Sequence, residues 1–264
     1  MLPLKPLPFI LILFSALSSF GQTYKQYADS LRRAYHVPEL SYAVVDIGST
    51  IEIAALGRHA INRQDTATLN DRFHLGSNTK ALTAFVIAHY VEKGNLQWTT
   101  RFFDLFPEWK AESNPAYTNI TLQDLLSHRA GILPFQGIDD PPVPDFKGNA
   151  RERRKQFGKW VLTLPPAPPD DQQPFVYSNA GYTLAALMLE KATGKSWEQT
   201  VEKVLNRKLK LHVGFSFPEN QKHHDTWGHR QVNDSLVPVP SSAEEHLDFT
   251  EPAGDLNKIG RAHV

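Results

Sequence analysis

Residues 73–80 read Phe73-His74-Leu75-Gly76-Ser77-Asn78-Thr79-Lys80, or FHLGSNTK. A small serine follows a glycine, and a lysine sits three residues on, at the mouth of a run without breakers from Thr79 to Glu92. The run predicts a helix with Ala81, Leu82, Phe85, Val86, Ala88 and Val91 on a wide apolar face, closed by Gly94 just past its end. Two readings of Ser77 and Lys80 fit this placement. In the first, the serine caps a helix and the lysine is solvated. In the second, they are a nucleophile and its base. Residues i and i+3 share one helix face, a turn apart. The free N–H groups and the positive dipole end at a helix start, together with partial burial, lower a lysine pKa. Such a lysine can accept a serine hydroxyl proton, and the Ser77 backbone N–H can point at a developing oxyanion. Ser-x-x-Lys alone is a weak signal, since it recurs by chance.

A second group lies downstream. In FVYSNAGY (175–182), Tyr177 and Asn179 stand two apart in an extended segment that enters an apolar helical run. In a strand-like stretch, i and i+2 face the same way. A tyrosine hydroxyl beside an ammonium has a lowered pKa and can relay protons. An asparagine amide can hold a substrate carbonyl and a neighbouring lysine together. Ser178, between them, faces away by alternation and receives no catalytic role. A lone Tyr-x-Asn would be read as packing; its order after Ser-x-x-Lys changes the weight.

The rest of the chain supplies the frame. Tyr24, Tyr27, Ala28, Leu31 and Tyr35 have helical spacing, and Pro38 ends that helix. LSYAVVDIG (40–48) and IEIAALGRHA (51–60) read as a hairpin about Gly48-Ser49-Thr50. Thr121 and Asp124 resemble a capping box for a short helix over 121–127, and 151–164 is amphipathic with Phe157, Trp160, Val161 and Leu164 on one face. PPAPPDDQQP (165–174) must be extended. GYTLAALMLEKATGK (181–195) predicts a buried helix stopped by Gly194, and Ser196 with Gln199 caps another through Leu209. Residues 210–258 read as short strands and turns.

Composition narrows the classes. The 264 residues are 41% hydrophobic and 21% charged, which is globular usage. Lys plus Arg equals Asp plus Glu at 28 each, so there is no electrostatic case for nucleic acid or an anionic membrane surface. There is no cysteine, which excludes disulfides and thiol catalysis. No Gly-x-Ser-x-Gly surrounds Ser77, which removes the α/β-hydrolase elbow. The histidines and aspartate of HHDTWGH (His223, His224, His229 and Asp225) fit no standard zinc spacing. No cofactor and no metal is expected. At the N-terminus, Lys5, an apolar core from Leu7 to Leu17, and small Ser19 and Gly21 before Gln22 form the pattern of a secretory signal peptide. Residues 1–21 are therefore expected to be removed and the mature chain, which has no further bilayer-length segment, to be secreted or periplasmic.

Taken together, FHLGSNTKALTAFVIAHYVEKGNL, ITLQDLLSHRAGI, FVYSNAGYTLAALMLEKATGKSW and WGHR…VPVP…PAGDL resemble, in order and context, the serine β-lactamase and penicillin-binding superfamily, in particular its class C β-lactamase and D-peptidase/esterase branch. The resemblance spans the chain from about residue 40 to Lys258. It implies an α/β (α+β) fold: an antiparallel sheet flanked by helices plus a mostly helical subdomain, in one domain over 22–258. It implies an exported serine hydrolase. Ser77 would be the acylated nucleophile, Lys80 and Tyr177 would share the proton transfers, and Asn179 would orient the substrate amide. Substrates would be β-lactams, cell-wall-derived D-amino-acid peptides, or small esters and amides. His128 in SHRAG would be structural. The alternative is a non-catalytic relative that binds peptidoglycan or a partner in the same cleft.

One element of the resemblance has no counterpart. The family carries a third motif on a late inner strand, with the second oxyanion N–H, and no candidate follows Tyr177 in the expected context. The closing strands are thus expected to be missing. Residues 259–264, IGRAHV, are expected to be a non-native tail, because the codons ATC-GGA-AGA-GCA-CAC-GTC resemble a sequencing adapter. The 264-residue chain is accordingly expected to be poorly stable and inactive, its longer parent active.

Overall fold

The computed structural model describes residues 22–137, 140–168, 175–218, 226–240 and 248–259. The expected signal peptide, His223, His224, Asp225 and the tail beyond Ile259 lie outside them.

The order of elements follows the sequence closely. Helix α1 (Tyr24–Ala34) leads into strands β1 (Glu39–Asp46) and β2 (Ser49–Gly57), then β3 (Arg72–His74). Helix α2 (Thr79–Glu92) follows, then α3 (Phe102–Leu105), α4 (Leu122–Leu126), α5 (Ala150–Val161), α6 (Asn179–Thr193) and α7 (Trp197–Val201), the last continued as π-helix over Glu202–Lys208. The chain ends with β4 (Gly214–Phe215), β5 (Gly228–Val232), β6 (Ser235–Val239), α8 (Glu251–Gly254) and β7 (Leu256–Ile259).

Local chemistry accounts for the boundaries. Reciprocal capping boxes start α1 (Thr23 with Gln26), α4 (Thr121 with Asp124), α5 (Asn149 with Glu152) and α7 (Ser196 with Gln199). Gly194, at φ +70°, ends α6 in the left-handed region that glycine adopts without a Cβ penalty. Helix α6 starts at Asn179, two residues before the apolar run, because the buried Ser178 side chain caps it by accepting from Gly181 N–H.

Helix α6 is the axis of the molecule. Eleven consecutive residues, Ala180 to Glu190, are buried, as expected of a helix apolar all round. Around it pack α2, α4, α5 and α7, with Val86, Ile87, Leu122, Leu125, Phe157, Leu184, Met188 and Trp197 in one core. The buried face of α2 is Thr79, Lys80, Thr83, Val86, Ile87 and Tyr90. This corrects the apolar face read from the sequence: Ala81 and Phe85 are exposed, Phe85 by 49%. The helix turns its polar residues inward because the 252–256 segment meets them there. Thr83 Oγ1 donates to Pro252 O (2.8 Å), and Thr79 Oγ1 accepts from Leu256 N–H (3.1 Å).

The strands are all antiparallel and fall into three small sheets among the described residues: β1-β2, β3-β7-β4 and β5-β6. The hairpin closes on Ile47-Gly48, so Ser49 and Thr50 belong to β2 rather than to its turn. Strand β7 is central, pairing His74 with Asn257 on one side and Gly214 with Asn257 on the other. It runs to Ile259, one residue into the stretch read as a tail. The β5–β6 hairpin accounts for WGHR…VPVP, and its turn residue Asn233 has φ +52°.

Candidate active site

Four segments converge at the start of α2. Ser77 stands on the 3-10 turn Gly76–Asn78 that runs into α2, and Lys80 is on the first turn of that helix. Tyr177 is in the extended stretch before α6, and Asn179 is the first residue of α6. Pro252 to Leu256, from α8 into β7, forms the floor.

The structure brings all four sequence-predicted residues together. The Tyr177 hydroxyl donates to Ser77 Oγ at 2.7 Å, and Lys80 Nζ donates to the same oxygen at 3.3 Å. Lys80 Nζ also donates to Asn179 Oδ1 (2.6 Å) and Ala253 O (2.8 Å). Ser77 is exposed, whereas Lys80 is only 6% exposed. The cap-and-solvated-lysine reading therefore fails on two counts, since no side chain caps the start of α2 and its lysine is buried.

The lysine has three partners in a pattern that serves either protonation state. As an ammonium it donates to Ser77, Asn179 and Ala253. As a neutral amine it donates to Asn179 and Ala253 and turns its lone pair on the Ser77 hydroxyl. Burial holds its pKa below the ordinary lysine value, against the opposing pull of the Tyr177 hydroxyl. For Tyr177, burial acts upward, but hydrogen bonding to Lys80 and Ser77 and the Lys80 charge outweigh it, so the phenol lies below the ordinary tyrosine value. Lys80 Nζ is 4.6 Å from the Tyr177 ring centroid. With Tyr177 as phenolate, the 2.7 Å contact reverses and Ser77 O–H donates. An exposed hydroxyl within reach of two groups that can take its proton is an arrangement suited to nucleophilic attack.

Asn179 is more committed than its sequence reading implied. Its Oδ1 is on Lys80, and its Nδ2 donates to Phe135 O at 2.7 Å, with a second N–H remaining. Ser178 faces away as read: its hydroxyl donates to Leu133 O (2.7 Å). The Ala253 carbonyl, a direct partner of Lys80, had no place in the sequence reading. A main-chain oxygen leaves no residue-type signal, and only its position in PAGDL pointed at it.

Ligand-type atoms of Glu39, His59 and Asp71 lie within 4.8 Å of one another. The buried His59 ring sits between Asp65 (Nδ1–Oδ2 2.8 Å) and Asp71 (Nε2–Oδ2 2.9 Å). Burial alone would lower its pKa, yet bonds and charges from the two carboxylates raise it. Through these two contacts the ring joins the end of β2 to the start of β3. His229 of the histidine-rich stretch accepts Ile61 N–H at 3.0 Å.

Known proteins share this arrangement of elements. The chain is 28% identical over 191 residues to penicillin-binding protein 4 of Amycolatopsis lactamdurans, covering 72% of this chain and 48% of that protein. It is 24% identical to protein flp of Staphylococcus aureus, covering 83% of this chain and 42% of that one. The chain thus spans about half the length of these relatives or less. Among solved structures, FmtA of Staphylococcus aureus superposes with a TM-score of 0.69 at 20% identity, over 89% of this chain and 62% of FmtA. The D-amino acid amidase of Ochrobactrum anthropi SV3, in complex with L-phenylalanine amide, gives 0.67 at 20% identity, over 87% and 64%. At this identity the two likenesses concern the fold. A family model described as Beta-lactamase matches residues 22–261, with Ser77, Lys80, Tyr177 and Asn179 all inside the match, and the chain belongs to that family.

Proposed function

We propose that the whole protein is an exported serine hydrolase that works through an acyl-enzyme on Ser77. The observation that carries this reading is the placing of an exposed Ser77 Oγ 2.7 Å from the Tyr177 hydroxyl and 3.3 Å from a buried Lys80. The Ser77 proton passes to the Lys80–Tyr177 pair as Oγ bonds to the substrate carbonyl carbon. The pair returns that proton to the departing amine or alcohol as its bond to carbon breaks. A water then gives a proton to the same pair as its oxygen bonds to the ester carbon; the bond from that carbon to Oγ breaks, the pair returns the proton to Ser77 Oγ, and the carboxylic acid leaves. The two basic groups titrate as a unit, so the role is assigned to the pair.

β-Lactams, D-amino-acid peptides of cell-wall origin, and small esters or amides are the substrate classes. The likeness in fold to a D-amino acid amidase, and the relation to a penicillin-binding protein, support that range. The apolar N-terminal segment supports export. For the 264-residue chain itself we propose that Ser77 reacts with small covalent probes while turnover is slow or absent, since β1 and β2 pair with no third strand among the described residues.

A fluorescent phosphonate or penicillin tests the reading. Labelling is expected on Ser77, lost in Ser77→Ala, and lowered roughly 10²–10⁴-fold in Lys80→Met or Tyr177→Phe. Labelling should rise with pH as the pair loses its first proton, below the range of an isolated lysine or tyrosine. A chain that binds penicillin reversibly and takes no label would instead be the non-catalytic relative.

A further inference from the structure

We propose that His128 is a positioning residue that holds the Tyr177 hydroxyl on Ser77. The proposal rests on the serine hydrolase reading above and adds a residue to it. His128 follows α4, outside every element that carries a site residue. It nevertheless touches each residue of the stretch 175–178. Its carbonyl accepts Val176 N–H (2.8 Å), and its Nδ1 accepts Ser178 N–H (3.1 Å). Its ring lies 4.5 Å from the Tyr177 ring, tilted by 31°, and 5.6 Å from Phe175.

That stretch has neither helix nor strand structure of its own. The orientation of Tyr177 is therefore fixed from outside. The amides on both sides of it are held by one residue, one through the main chain and one through the ring, and its aromatic face rests on that same ring. Gln136 Nε2 adds a bond to Tyr177 O at 3.1 Å.

The ring can do this only in one state. Nδ1 must present a lone pair to Ser178, so the imidazole is neutral with its proton on Nε2. Protonation would set one N–H against another. The titratable or charged groups that face the ring are Lys80 from α2, Tyr177 from the stretch itself and Tyr182 from α6, whose ring is 5.4 Å away. Burial first, and the Lys80 charge second, hold the pKa of His128 below the ordinary histidine value, in keeping with a neutral acceptor.

The backbone supports the same view. His128 has φ +60°, a conformation that glycine adopts without a Cβ penalty. Gly131 makes a similar excursion three residues on, at φ +66°. His36, Phe135, Lys210, His212, Ser216 and Asn233 share this conformation, so what distinguishes His128 is where the turn past α4 sets it, with its ring 4.5 Å from that of Tyr177.

The test uses His128→Gly, which suits the backbone and removes both ring contacts. It also uses His128→Asn, which keeps an acceptor for Ser178 but lacks the ring. Two quantities are read in the full chain: phosphonate labelling of Ser77, and the near-ultraviolet titration of Tyr177, assigned by subtracting Tyr177→Phe. In His128→Gly, Tyr177 is expected to titrate nearer the ordinary tyrosine range, and labelling is expected to fall by about 10- to 100-fold. His128→Asn should fall between glycine and wild type. An unshifted Tyr177 titration with wild-type labelling in His128→Gly overturns the proposal. If that variant does not fold, His128→Asn equal to wild type in both readouts overturns it. If the wild-type chain takes no label, the hydrolase reading fails by itself, and the Tyr177 titration still decides whether His128 places that ring.

Discussion

Helices α6 and α1 each begin with a side-chain cap, a single bond from Gly181 N–H to Ser178 in α6 and a reciprocal box of Thr23 and Gln26 in α1, and lie in opposite surroundings. Eleven successive residues of α6 are buried, while none of α1 is. Tyr24 and Tyr27 of α1 and Tyr35 at its C-cap are 58%, 55% and 75% exposed, and the β1–β2 hairpin beside it exposes Val45, Ile47 and Ile51. Caps and periodicity are enough to form a helix; burial decides how firmly it is held. The candidate site belongs wholly to the firmly held side. Ser77 is on the 3-10 turn that leads into α2, Lys80 is on the first turn of α2, Asn179 opens α6, and Tyr177 stands two residues before it. Among the described residues, the side-chain hydrogen bonds of Ser77 and Lys80 go to Tyr177, Asn179, Ala253 and each other, and none to the hairpin or α1. Substitutions on the two sides should therefore differ in kind, and the contrast can be broken by experiment.

The largest effects are expected where the body is tied together. Trp197 is fully buried, donates Nε1–H to Thr83 Oγ1 (3.2 Å), and packs against Phe215. Trp197→Ala should cost about 3–5 kcal/mol of stability in urea unfolding. It should lower labelling too, because Thr83 also holds Pro252 beside the carbonyl that accepts from Lys80. A loss below about 1 kcal/mol would mean the body is not close-packed.

The buried ion cluster should respond almost as strongly, and its response depends on pH. Arg154 is fully buried and bridges Glu190 (2.5 Å), Glu198 and Glu251 (3.7 Å), from α6, α7 and α8. Arg154→Met leaves Glu198 and Glu251 without the cation that bridges them and Glu190 with Arg151 alone (3.4 Å), and should cost about 3–5 kcal/mol. Burial, then the Glu198 charge, pushes the Glu251 carboxyl up to about 7, despite the opposing Arg154 charge. Between 4.5, its ordinary value, and about 7, the folded chain thus holds a proton that the unfolded chain releases. The contribution of Glu251 is fully present below 4.5 and is lost as pH rises through about 7. Glu251→Gln should remove that downward slope. An unchanged profile of stability against pH would assign the proton elsewhere. Since Glu251 starts the helix that brings Ala253 to Lys80, labelling is the second readout.

What the sequence made legible divides along the same line. Starts with a capping residue, stops at Gly94 and Gly194, and the continuous apolar run of α6 could be read because each depends on residues within a few positions. The pairing of Ser77 with Tyr177, a hundred residues apart, was legible through motif order. Three things were not. The inward face of α2 was misassigned because Thr79, Lys80 and Thr83 are buried by hydrogen bonds to a segment about 170 residues downstream, whereas hydropathy favours Phe85. The Ala253 carbonyl has no side-chain signature. The role of His128 depends on a left-handed backbone and a lone pair, neither of which is written in residue spacing.

A middle-sized effect is expected at the seam between α5 and α6. At Gly158 an added Cβ would stand 2.4 Å from Leu187 Cδ1 and 3.3 Å from Leu184 Cδ2, both on buried residues. Gly158→Ala gains helix propensity but overpacks this contact, and should cost about 1–3 kcal/mol net. A stabilised variant would show that the two helices can part by a few tenths of an ångström without loss. That would weaken the claim that the body is rigid where it supports the site.

The smallest effects should lie on α1 and the hairpin, and they sharpen the comparison most. Ile47 is 100% exposed at the hairpin turn, and Leu31 is 39% exposed on α1. Ile47→Ser and Leu31→Ala should each change stability by no more than about 0.5 kcal/mol and leave Ser77 labelling unchanged. Gly57 is the control on the same side. It has φ +94°, and an added Cβ would stand 2.0 Å from the Pro38 carbonyl oxygen, an atom that cannot move without disturbing the bond it accepts from Arg58 N–H. Gly57→Ala should therefore detach α1 from β2 and cost more stability than either surface change, again without loss of labelling. If Ile47→Ser or Leu31→Ala proved as damaging as Trp197→Ala, those side chains would be covered in solution. If Gly57→Ala abolished labelling, the hairpin would be coupled to the site through contacts other than its direct hydrogen bonds, and the division between the two halves would fail.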